Sequence, residues 1–196
     1  MNAKQERKER SRNTILESAG RLLRSRGIVG ARVADVMQGA GLTVGGFYAH
    51  FASKDELVSA ALHRLGAEYR DRLFTRIEEK PESERTAVIL KRYLSTAHRD
   101  ATDQGCPFPS IVGEIGTTAP EQRDALAQEI AALIERLESL TPHSQGHKTR
   151  TLAIGLVTLM IGGLSLSRAL RGTALSDEVI RACRLFSVAA TRGLDL

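Results

Sequence analysis

The sequence has no tryptophan, only eight aromatic residues, five prolines and two cysteines, Cys106 and Cys183. Two cysteines cannot form the disulfide framework of a small secreted scaffold, so a reducing, intracellular setting is expected. The opening MNAKQERKERSRN lacks the apolar core of a secretory signal. The longest uncharged run, Thr151 to Ser167, has 17 residues and includes three glycines. A membrane span needs about 20 predominantly apolar residues, so a buried helix is the stronger reading and no membrane partner is expected. A phosphate-cradling glycine loop and a zinc-ligand spacing are also missing. The five histidines form no constellation with either cysteine, so a thiol enzyme built on Cys106 is a distant alternative and no cofactor or metal is expected. His143 and His147 are four apart, but the Ser144-Gln145-Gly146 stretch between them makes a poor rigid metal pair.

At 196 residues, with 42% hydrophobic and 26% charged residues, the chain is ordinary globular material. Its charge is uneven. Residues 1–54 hold ten Lys/Arg against four acids, a net of +6, while the remainder nets −1. The first quarter is therefore the end that meets a polyanion.

Periodicity is helical throughout, and no segment alternates long enough to be a strand. Ile15, Leu16, Ala19, Leu22 and Leu23 line one face of a first helix that stops at Gly27. A second short helix fits Val33 to Ala40, ending at Gly41. A third begins in LTVGGFYAHF, residues 42–51, where Gly45 and Gly46 stand against the helical spacing of Phe47 and Phe51. Ser53-Lys54-Asp55-Glu56 is a capping box that launches a long linking helix over 54–78. Pro81 breaks it. Further helices fit 83–101, 107–117, 120–140, 147–170 and 176–193. The expectation is an all-α chain of about nine helices, divided into a helix-turn-helix domain (1–53) and a helical domain (54–196).

Helix, short helix, turn, short helix in a basic segment is the helix-turn-helix arrangement, which places the element after the turn in the DNA major groove. The apolar pattern of 15–23, Gly27, Val33 to Val36, Ala40-Gly41-Leu42, Gly46-Phe47-Tyr48-Ala49-His50-Phe51, Lys54 and Leu57 resembles the DNA-binding domain of TetR/AcrR transcriptional repressors. The resemblance covers about a quarter of the chain. It implies that Thr43, Val44, Gly45 and Gly46 approach base edges and phosphates, and that Tyr48, His50 and Lys54 contact the DNA backbone. Arg32 stands where such proteins often carry a Ser or Thr cap; it forgoes the cap and adds a cation within reach of phosphate or base.

The resemblance also implies a homodimer through helices 147–170 and 176–193, a double-stranded palindromic operator as partner, and a small-molecule effector bound among the middle helices. The protein would then work in the bacterial cytoplasm, on the nucleoid. Cys106 precedes Pro107 at a helix start, where the helix dipole favours thiolate. Cys106 and the nearby Phe108 are therefore candidates for effector or thiol sensing, the alternative for Cys106 being a small buried residue. Cys183, in the apolar series of Val179, Ile180 and Phe186, reads as core.

Overall fold

The computed structural model describes residues 2–140 and 147–191. His143 and the last residues of the expected 176–193 helix lie outside them. Among the described residues there is no strand. The described residues form nine α-helices: α1 (Ala3–Gly30), α2 (Val33–Gly39), α3 (Lys54–Phe74), α4 (Glu82–Tyr93), α5 (Thr96–Asp100), α6 (Phe108–Thr117), α7 (Arg123–Glu138), α8 (His147–Ala169) and α9 (Ala174–Ala190). Two 3-10 segments, Val44–Ala49 and Pro120–Gln122, complete the order.

By internal contacts the chain forms two compact units. The first comprises 1–67 and 106–127; the second comprises 68–105 and 128–196. The chain thus leaves the first unit within α3, past the 53/54 boundary expected from the sequence, and returns to it for α6.

The first unit packs α1 against α2 and α6. Ile15, Leu23, Val36, Met37, Phe47, Phe51, Leu62, Phe108 and Ile111 are all at most 1% exposed and make its core. α1 is longer than its apolar pattern indicates, because the charged run from Lys4 to Arg12 is helical as well. It is kinked at Gly27, whose φ of 69° lies in the left-handed region. That kink is where the sequence placed the helix stop.

In the second unit α8 packs on α9, α9 on α4, and α5 on α8. The expected single helix over 83–101 is two. Ser95 is extended (φ −134°, ψ 152°) and its Oγ accepts from the His98 N–H at 3.2 Å, so a local cap starts α5 afresh. α3 ends at Phe74 rather than near 78, and Arg76 turns the chain with φ 55°. Thr149–Ala169 is long and apolar enough to cross a membrane by length and composition, with mean hydropathy 1.6. Its inner residues Ala153, Leu156, Val157, Met160 and Leu164 are buried, as expected of a core helix packed on α9.

Candidate nucleic-acid interface

The segment after the turn is a 3-10 helix, not an α-helix. Thr43 is its extended N-cap (φ −77°, ψ 148°), and the Gly46 N–H donates to the Thr43 carbonyl at 3.0 Å. Two adjacent glycines weaken an α-helix, and six residues leave room for little more than two tight turns. Packing holds the segment. Phe47 and Phe51 are 1% exposed, with rings 5.8 Å apart and roughly parallel. Val44 and Tyr48 face outward: Val44 is 51% exposed and Tyr48 76%.

Neither glycine is required by the fold. A Cβ on Gly45 would meet nothing within 4 Å, and one on Gly46 would make ordinary contacts at 3.8 Å with Met37 Cε and Thr43 Oγ1. Neither takes a positive φ. Gly45 and Thr43 are exposed, with Gly46 half-buried beside them. Arg32 is an exposed N-cap of α2 with no side-chain cap bond.

His50 closes the segment, half-buried, with its Nδ1 sealed from solvent and unbonded. Burial, and then the Lys8 and Arg12 cations, hold its imidazole below the ordinary histidine pKa. Lys54 is also half-buried, and its Nζ donates to the Ile28 carbonyl at 2.8 Å. It therefore ties the start of α3 to the end of α1 with one of its three N–H groups, a duty that spacing alone does not indicate. The capping box is present: the Glu56 N–H donates to Ser53 Oγ at 3.1 Å, and the Glu56 carboxylate accepts from the Ala52 N–H at 2.6 Å.

Three residues at this site escape sequence reasoning. Glu114 on α6 accepts from the Ile28 and Val29 N–H groups at 2.5 and 3.0 Å, just past the Gly27 kink. A Cβ on Gly27 would collide with that carboxylate. Arg21 Nη2 donates to the Gly39 carbonyl at 3.2 Å, binding α1 to the end of α2. Arg12 lies over the Phe51 ring, 4.9 Å from its centroid. Arg12 belongs to a run already marked as basic, but nothing in the spacing joins residue 114 to residue 28.

The sensing candidates sit elsewhere in the first unit. Cys106 is 0% exposed and Phe108 1%. Pro107, not Cys106, is the N-cap of α6, which moves the thiol one residue back from the expected position. The geometry matches the buried-residue alternative for Cys106. Cys183 is only partly covered, and burial raises its thiol pKa.

The helix-turn-helix geometry and the all-helical second unit define a DNA-binding transcriptional regulator. Residues 15–61 match the family described as bacterial regulatory proteins, tetR family, and residues 83–183 match the tetracyclin repressor-like C-terminal domain. The chain belongs to the TetR family. The HTH-type transcriptional repressor KstR2 of Mycobacterium tuberculosis is 41% identical over 64 residues, 31% of this chain and 32% of that protein. The HTH-type transcriptional regulator TtgR of Pseudomonas putida is 35% identical over 89 residues, 45% of this chain and 42% of that one. The chain thus matches less than half of the length of these relatives. The crystal structure of a TetR-family regulator from Rhodococcus sp. shares the fold, with a TM-score of 0.74 over 93% of this chain and 96% of that one at 19% identity.

Proposed function

We propose that this TetR-family regulator is a homodimeric repressor that grips a palindromic operator and is released by a small-molecule effector. The observation that carries the DNA-facing assignment is the pair Gly45-Gly46, bare on an outward surface whose fold has no use for them. Without Cβ atoms, the backbone N–H groups can come close to a phosphate or base edge. Thr43 then bonds a base edge, Val44 touches a thymine methyl, and Arg32, Tyr48, His50 and Lys54 hold backbone phosphates. Residues 1–53 are the reading head, and 54–196 supply dimerisation and effector response.

Dimerisation is supported by the outer face of α8 and α9. Ile154, Leu166, Leu185 and Phe186 are 44–64% exposed, and a groove of about 430 Å³ runs past Gly155, Leu159, Gly162 and Phe186. Exposed apolar surface of this kind marks an interface, and a two-fold partner supplies the second half-site reader. The buried thiol of Cys106 favours a non-covalent effector over a thiol-reactive one. Its binding shifts α3 and with it the separation of the two reading heads, which is a coupling free energy between sites.

The test is operator selection from random duplexes, followed by a gel shift at physiological salt. A preferred palindrome bound by a dimer supports the reading; binding without sequence preference overturns it.

A further inference from the structure

The first three turns of α1 run ahead of the core. Every residue from 2 to 10 except Glu6 is exposed, and the first core residue is Ile15. This stretch holds Lys4, Arg7, Lys8, Arg10 and Arg12 against Glu6 and Glu9. None of the five cations has an ion-pair partner among the described residues. A solvated helix with net positive charge and no core of its own gains little from folding, so its order invites a ligand.

The cations are also placed. At 3.6 residues per turn, Lys4, Lys8 and Arg12 fall within an arc of about 80°, with Glu6 on roughly the opposite side from Lys8. Arg12 lies over the ring of Phe51, the residue after His50, a contact that positions the guanidinium and takes up none of its N–H groups. The charges of both Lys8 and Arg12 act on the His50 ring. With Nδ1 of that ring sealed, only Nε2 can meet a ligand. An ammonium, a guanidinium and an imidazole nitrogen thus lie near one another beside the exposed Tyr48. The ligand such a set selects is an anion with several acceptor oxygens.

We propose that Lys8, Arg12 and His50 together hold a backbone phosphate of duplex DNA, which makes the start of α1 a second contact element beside the 3-10 segment. This rests on the DNA-facing reading of Val44–Ala49. It assigns Lys8 and Arg12 to affinity and register, and leaves base choice to Thr43 and Val44.

The experiment titrates the full-length protein against its selected operator and a random duplex between about 50 and 200 mM salt. Lys8→Gln, which leaves the Phe51 stack alone, is expected to weaken both complexes by the same factor, roughly fivefold per lost contact. The slope of log affinity against log salt should shallow by about one per protomer, with sequence discrimination unchanged. Lys8→Arg should restore the wild-type slope. Arg12→Gln should act like Lys8→Gln, read beside its melting curve because it also removes the stack. A wild-type slope in both Gln variants overturns the proposal, as does a loss of discrimination in Lys8→Gln. Wild-type protein with no operator preference overturns instead the reading beneath it.

Discussion

Both compact units use side chains that bond main chain, but ion pairs are concentrated in the second. In the first, side chains reach for backbone: Glu114 to Ile28 and Val29, Lys54 to Ile28, Arg21 to Gly39, Ser110 to Leu23, and the fully buried Gln122 to Asp55. In the second, Arg92 bonds the Leu73 and Thr75 carbonyls and Arg168 those of His98 and Arg99, and charges also pair: Arg70 with Glu129, Arg99 with Asp177, and Arg136 with Glu78. Bonds to main chain fix irregular backbone, as at the Gly27 kink. An exposed pair such as Arg136 with Glu78 is worth about 0–1 kcal/mol, whereas Arg70 with Glu129 is largely covered. The first unit thus relies chiefly on bonds to main chain, and the second adds charge pairs to them.

That contrast can be broken at several points. The largest expected effect is on binding: Gly46→Leu should abolish operator affinity by about a thousandfold, roughly 4 kcal/mol, while the melting temperature stays near wild type. Retained binding would detach that surface from DNA.

Next comes acid sensitivity in the second unit. His98 is half-buried against Tyr69 and Tyr93, with ring centroids 5.3 and 4.7 Å away. Burial first, then the Arg168 and Arg72 cations, lowers its pKa to about 4, although its bond to the Tyr93 carbonyl opposes the shift. The unfolded chain binds the proton near pH 6.5, so the stability owed to neutral His98 is complete above that pH and drains away towards pH 4. The loss should reach about 3 kcal/mol in urea titrations, and His98→Gln should flatten that stretch of the profile.

Glu114→Ala should cost about 2–3 kcal/mol of stability, because it strips a carboxylate from two backbone donors. An unchanged unfolding midpoint would show that the first unit does not depend on such bonds. Phe186→Ser should raise the dimer dissociation constant roughly thirtyfold, about 2 kcal/mol, in sedimentation equilibrium. Smallest is the reaction of native protein with an aromatic disulfide at neutral pH. Cys106 should stay unlabelled and Cys183 should react slowly, both reacting at once in urea. Rapid labelling of Cys106 would revive the thiol-sensing alternative.

The sequence was most readable where a local rule suffices. Phe47 and Phe51 four apart, the Ser53–Glu56 cap and the stop at Gly27 each depend on neighbours within one or two turns, and each is present. The 3-10 form of Val44–Ala49 was missed because helical spacing of two aromatics does not separate a tight helix from an α-helix over six residues. The break at Ser95 was missed because an apolar period runs straight through it. Cys106 was read by its nearness to a helix start, whereas its environment is set by the whole core around α6. Contacts such as Glu114 with Ile28, 86 residues apart, leave no trace in local pattern.

The return of the chain at α6 has a consequence during synthesis. Residues 106–127 belong to the same compact unit as residues 1–67. Chains emerge from the ribosome amino end first. A nascent chain of 105 residues therefore has all of its helix-turn-helix but lacks the carboxylate that holds Ile28 and the Gln122 that holds Asp55. The first unit reaches its final form only once residues 106–127 have been synthesised, so a chain stopped before them is expected to hold its amino-terminal helices without that brace.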